Sequence, residues 1–142
     1  MNSQIVTQTK EYLAIPPQSV AAATTNGTEI DTEGYDTVTA YVCVGATDHT
    51  TTTFKFQETA TSGSGEADVT GGGFTAFGAT DDNKLASGSI AIQTHLRYVR
   101  LVCTTAGGAA GLVSAVVLLS NANQTVATSD HGTSPAGLTV NI

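Results

Sequence analysis

The sequence predicts an all-β fold: one antiparallel β-sandwich or jelly-roll-like domain behind an extended N-terminal arm. Three observations predict it. First, Val38, Ala40, Val42 and Val44 fall on one side of their segment, and Thr37, Thr39, Tyr41 and Cys43 on the other. Strict two-residue alternation marks a half-buried strand, because successive side chains leave a strand on opposite faces. Second, Thr is the commonest residue, Val is plentiful, and charged residues make up only 12% of the chain. That balance suits pleated surfaces, where β-branched side chains pack well. Third, short strand-like runs recur with turn signals between them, and no segment carries helical periodicity.

Residues 1–12 are polar and unpatterned and read as the arm; the sandwich is assigned to 13–142. In Ile15 to Val20 (IPPQSV) two prolines forbid both a helix and a central strand, which leaves an edge strand or an extended lead-in. Asn26-Gly27 supplies a turn, and Asp31 to Asp36 a second, glycine-containing one. The strand Val38–Ala46 follows, then a polar link from Asp48 to Thr51. Thr52 to Glu58 alternates with Phe54 and Phe56 on one face. Residues 61–86 are rich in Gly, Ser, Thr and Asp, and read as a long loop of the kind that carries function. Strand pattern returns at Gly88–Gln93 and Arg97–Cys103. After the Gly107-Gly108 turn, Leu112–Leu119 is apolar on both parities, as a central strand would be. The tail from Asn121, with Pro135 near its end, is polar. Val42, Val44, Phe54, Phe56, Leu101 and Val116 are expected to be buried and mutually packed.

A chain of 142 residues can bury a core without staples. Its net charge is −7, with Lys10, Lys55, Lys84, Arg97 and Arg100 as the cations. Five scattered cations make no cluster able to displace counterions from phosphates, so neither nucleic acid nor an anionic membrane is an expected partner. Met1 to Lys10 lacks the basic start and apolar block of a secretory leader. The apolar run at 112–119 is too short to cross a bilayer. Synthesis in a reducing cytoplasm is expected, with Cys43 and Cys103 as small buried hydrophobes rather than a disulfide.

The candidate chemistry is sparse. Asp31, Glu33 and Asp36 surround a glycine and have oxygens that calcium favours, but not the spacing of a calcium loop. A turn whose carboxylates bond nearby backbone N–H groups is the better reading. Asp81-Asp82-Asn83 has the same ambiguity. His49, His95 and His131 form no zinc-like pair. No Ser or Thr sits on a nucleophile elbow, and Gly71-Gly72-Gly73 lacks the Lys-Ser/Thr of a phosphate loop. No catalysis, cofactor or metal is therefore expected. Phe74 and Phe77 are equally suited to docking on a sugar or protein and to plugging the end of the sandwich. Arg97 and Arg100 point oppositely on a strand, and in so acidic a chain each is expected to meet a carboxylate.

Five blocks, in order and spacing, resemble small virion proteins of tailed bacteriophages, most of all the capsid decoration (cement) proteins. They are Ile15–Val20 (IPPQSV), Ile30–Asp36 (IDTEGYD), Val42–Ala46 (VCVGA), Phe54–Glu58 (FKFQE) and Arg97–Leu101 (RYVRL), spread over residues 12 to 120. The resemblance implies a virion β-sandwich on the capsid surface, a homotrimer bound to the major capsid protein through a terminal arm. On that basis Asn2, Gln4, Val6, Gln8, Lys10, Pro16 and Pro17, with Phe74 and Phe77, are the expected capsid or subunit contacts. A tail or neck component, or a jelly-roll carbohydrate-binding module displayed on the virion, is the alternative.

Overall fold

A computed structural model of the chain describes residues 9–122. Two antiparallel sheets pack into one sandwich. The first sheet has the order β1 (Lys10–Val20), β9 (Gly111–Ala122), β4 (Tyr35–Thr47), β7 (Lys84–Ala91). The second has the order β2 (Thr24–Asn26), β8 (Tyr98–Ala106), β5 (Thr51–Thr59), β6 (Ala67–Gly73), with β3 (Ile30–Asp31) also paired to β8. The chain changes sheet at every connection except β2–β3 and β5–β6. Sequence neighbours therefore lie in opposite layers, as in a jelly roll.

The alternation builds the core. Val38, Ala40, Val42 and Val44 are all buried along the inner face of β4. β9 places Val113, Ala115, Val117 and Leu119 beside them, and β1 adds Ile15. Across the gap stand Phe54 and Phe56 of β5 and Val99, Leu101 and Cys103 of β8. Each large side chain moved from water into this layer contributes about 1.5–3 kcal/mol before entropy is counted. The prolines sit where expected: β1 is an edge strand, and its register against β9 slips between Ile15 and Gln18, around the exposed Pro16 and Pro17.

Four expectations change. Residues 10–12 belong to the first sheet, since Lys10, Glu11 and Tyr12 pair with Leu119, Leu118 and Val117; a hydrogen-bonded neighbour decides this, and polarity did not reveal it. The supposed loop at 61–86 contains β6 and the start of β7. Its glycines let β6 bend beside β5, where the register shifts between Lys55 and Gln57. Val116 is 41% exposed: β9 is central, but only one of its faces meets the other sheet. Cys43 is half-buried on the outward side of β4, while Cys103 lies in the core, and both are free thiols.

Candidate interaction surface

The two sheets turn very different outer faces to solvent. On the second sheet, Arg100 donates from Nε and Nη2 to Gln57 Oε1 (3.0 and 2.8 Å) and from Nη1 to Glu66 Oε1 (2.8 Å). Gln57 Nε2 donates onward to Asp68 Oδ1 (2.8 Å), and Lys55 Nζ to Asp68 Oδ2 (2.7 Å). The chain Glu66–Arg100–Gln57–Asp68–Lys55 thus crosses β8, β5 and β6 without a break. Hydrogen bonds from Lys55 and then Gln57 hold the Asp68 carboxyl below its usual range.

At one end of this face Arg97 grips Asp31 through both ends of its guanidinium, Nε to Oδ1 (2.9 Å) and Nη2 to Oδ2 (2.7 Å), and also contacts Glu33. This forked pairing lowers the Asp31 pKa and raises that of Arg97, as charge-assisted bidentate bonds do. The turn beneath is self-supporting. Asp31 Oδ1 also accepts from Glu33 N, Tyr35 N donates to Thr32 O, and Gly34 sits at φ +89°. These carboxylates serve a turn and an arginine. In the second acidic cluster, Asp81 accepts from Gly78 N and Asp82 from Thr47 N, tying the entry of β7 to β4. Among the described residues no three His, Cys, Asp or Glu side chains converge as a metal would require.

The outer face of the first sheet is built otherwise. Its paired rows run straight across the strands, because antiparallel partners share a face. One row is Leu13–Val116–Tyr41–Ser87, from β1 through β9 and β4 to β7. A second is Ser114–Cys43–Leu85, and a third Glu11–Leu118–Thr39–Ser89. Leu13, Tyr41 and Val116 are exposed, and so is Leu85, at 64%. Leu112, also exposed, leans over Gly45, where a Cβ would come within 2.9 Å of its own. Between this leucine and the proline bulge of β1 lies a groove of about 440 Å³, lined by Pro17, Ser19, Cys43, Gly45, Leu112 and Ser114. The one charged side chain in these three rows is Glu11.

Of the sequence-predicted contacts, Pro16 and Pro17 are exposed on the first sheet's edge, and Lys10 sits in β1 with its Nζ 5.4 Å from the Tyr12 ring centre. Phe77 is withdrawn into the core, edge-on to Phe54, and Phe74 packs on Phe56, so plugging is what the structure adopts. Asn2, Gln4, Val6 and Gln8, with His131 and Pro135, lie outside the described residues. His95 accompanies Glu58 (2.9 Å). His49 is fully buried, with hydrogen bonds joining Nδ1 to Gly107 O (2.7 Å) and Nε2 to Val20 O (2.9 Å). It ties the end of β1 to the β8–β9 turn, and Gly111 leaves room for its ring: a Cβ there would meet His49 Cδ2 at 2.6 Å. Sequence reasoning missed the apolar outer face, although the two-parity run at 112–119 carried the signal.

No protein-family model matches the chain, and no curated protein does. Among solved structures, it is similar to a Bacillus endospore appendage protein from a family of disulfide-linked pili (TM-score 0.49, 10% identity, covering 85% of this chain and 91% of that one). It is also similar to the SPBc2 prophage-derived protein YomS (0.46, 11%, 79% and 93%). A third is the Eiger TNF of S. frugiperda (0.46, 12%, 83% and 94%). At TM-scores below 0.5 such likeness assigns this chain neither a family nor a function.

Proposed function

We propose that this is a structural virion protein that decorates and stabilises a tailed-phage capsid by bridging adjacent capsomers. The observation that carries the reading is the nearly uncharged outer face of the first sheet, where Leu13, Tyr41, Leu85, Leu112 and Val116 stand exposed among serines and threonines. Nothing among the described residues covers these side chains, and a cluster of exposed apolar side chains marks a surface that another protein meets. The rest of the molecule supports a role in assembly rather than catalysis: its polar clusters are spent on turns and on cross-strand pairing. The five sequence blocks that resemble decoration proteins supply the particular assembly.

In this reading the protein is made in the bacterial cytoplasm, forms a homotrimer and binds the major capsid protein on the virion surface. Residues 1–8 reach the shell, and Pro16 and Pro17 stiffen the sheet edge nearby. Contacts made only in the assembled shell raise the cost of taking it apart by mass action. The test is to add the purified protein to empty phage heads. Binding at fixed stoichiometry, with the heads resisting heat or denaturant better, is expected. Deleting residues 1–8, which leaves β1 whole, should abolish binding. Heads that bind none of the full chain would overturn the reading. Heads that bind the shortened chain equally well would remove the arm as anchor.

A further inference from the structure

The row Leu13–Val116–Tyr41 forms a ridge across β1, β9 and β4, and the groove over Ser114 and Cys43 lies directly beside it. We infer that the outer face of the first sheet is where a second copy of this chain docks, the ridge of one copy entering the groove of the next. This deepens the assembly reading and rests on it, by naming the partner that covers the apolar face.

Three features select a second copy over another occupant. The first is charge. At a net −7, two copies repel wherever their unpaired carboxylates meet, and like charges opposed across an interface suppress association. The second sheet's outer face and its end hold Asp31, Glu33, Glu66 and Asp68, paired with Lys55, Arg97 and Arg100; burying that face would strip water from all of these charges. The rows of the first sheet hold one carboxylate, on Glu11, toward the end away from the groove. That face is therefore where two such chains can meet with the fewest charges to desolvate.

The second feature is size. A four-stranded sheet with strands of about ten residues presents roughly 650 Å² of face at ordinary strand spacing. That is close to the ~800 Å² per partner of a standard specific interface. The third is relief. Tall and short side chains lie in adjoining rows, Val116 and Tyr41 beside Ser114 and Cys43, so the surface carries both halves of an interlocking contact. Covering Leu13, Leu85, Leu112 and Val116 would also remove the large exposed aliphatic side chains of this face from water.

The test joins sedimentation to thiol labelling of the full chain. Cys43 stands on the face, whereas Cys103 is buried and its thiol is pushed up to about 11 by desolvation, so in the separated chain only Cys43 should react quickly with iodoacetamide. The wild type should sediment as an oligomer with Cys43 protected. Val116→Glu, at an exposed position, should weaken association roughly a hundredfold and free Cys43 for labelling. Leu112→Lys should act alike, so that one badly folded variant does not decide the matter, and Lys55→Glu on the other sheet should leave association intact. An oligomer that survives both face substitutions overturns the docking face while leaving the trimer standing. Face variants that keep their oligomer but stop binding heads give the face to the shell and also overturn it. Cys43 protected in a monomeric wild type, and released by removing residues 123–142, overturns it in favour of the chain's own tail. A protected oligomer that binds no heads upholds the face and defeats the capsid reading instead.

Discussion

The outer faces of the two sheets arise from the same alternation and end in opposite chemistry. On the second sheet the outward positions of β5, β6 and β8 hold Lys55, Gln57, Asp68 and Arg100, joined by hydrogen bonds across three strands. On the first sheet the corresponding positions of β1, β4, β7 and β9 hold Leu13, Tyr41, Leu85 and Val116 among serines and threonines. Both faces cover one shared core, so the difference owes nothing to folding the sandwich. A face whose charges are already paired with each other is complete in the monomer. In the proposed assembly, a face with large side chains in water and almost no charge is completed by contact. Stability and association would then be carried by different layers.

The largest effect expected lies between the faces. Phe54→Ala or Phe56→Ala should cost about 3–5 kcal/mol of unfolding free energy in urea titrations, because both rings are buried and each meets a second ring. His49→Ala comes next, at roughly 2–4 kcal/mol, since it leaves a cavity and takes the ring away from the buried Val20 carbonyl and from the Gly107 carbonyl of the turn. If His49 proves dispensable, the β8–β9 turn is held by its backbone together with Asp48, whose Oδ1 accepts from Ala110 N, and Thr50, whose Oγ1 donates to Ala106 O.

On the second sheet, Arg100→Met should cost about 1–3 kcal/mol, because Glu66 and Gln57 would keep their places without the cation between them. The Lys55–Asp68 pair is more exposed, and Lys55→Ala should cost no more than about 1 kcal/mol. On the first sheet, Val116→Ala should change the stability of the separated monomer by only ~0.5 kcal/mol. A large loss there would mean that the face supports the fold and would break the comparison.

Salt and pH sharpen the contrast. Sodium chloride should weaken the ion-paired face slightly, whereas sulfate should promote association through the apolar one; sedimentation in the two salts separates them. Asp31 titrates below its ordinary 3.8 in the folded chain, chiefly because of Arg97. A depressed folded pKa adds stability above the unfolded value and loses it as pH falls through the folded one. The wild type should therefore lose stability below about pH 4 more steeply than Asp31→Asn. Equal slopes in acid denaturation would mean that the Arg97–Asp31 grip adds nothing in solution.

Much of this was legible in the chain. The inner face of β4, the pairing of Phe54 with Phe56, the edge position of Pro16-Pro17 and the carboxylate partners of both arginines follow from alternation, proline chemistry and scarcity of cations. The Asp31–Asp36 turn was readable too, because its glycine and aspartates act within five residues. Less local matters were not. β6 looked like loop because glycine-rich strands lack the side chains that betray them; its pairing with β5 supplies the order. Phe74 and Phe77 were undecided between docking and plugging until the packing of β5 drew them inward.

What the sequence by itself determined is which residues share a side, since a strand's period of two is local and covalent. What only the tertiary structure decided is which side meets the other sheet and which strands lie next to each other. Val116 shows the limit. Its run is apolar on both parities, and nothing local says which face goes inward. Val113, Ala115 and Val117 are buried against the second sheet, and Val116 is left in a row with Leu13 and Tyr41, residues about a hundred and about seventy-five positions away. A patch assembled from such distant segments exists only once the strands have paired, because lateral order in a sheet is set by long-range hydrogen bonds and burial rather than by any neighbour in the chain.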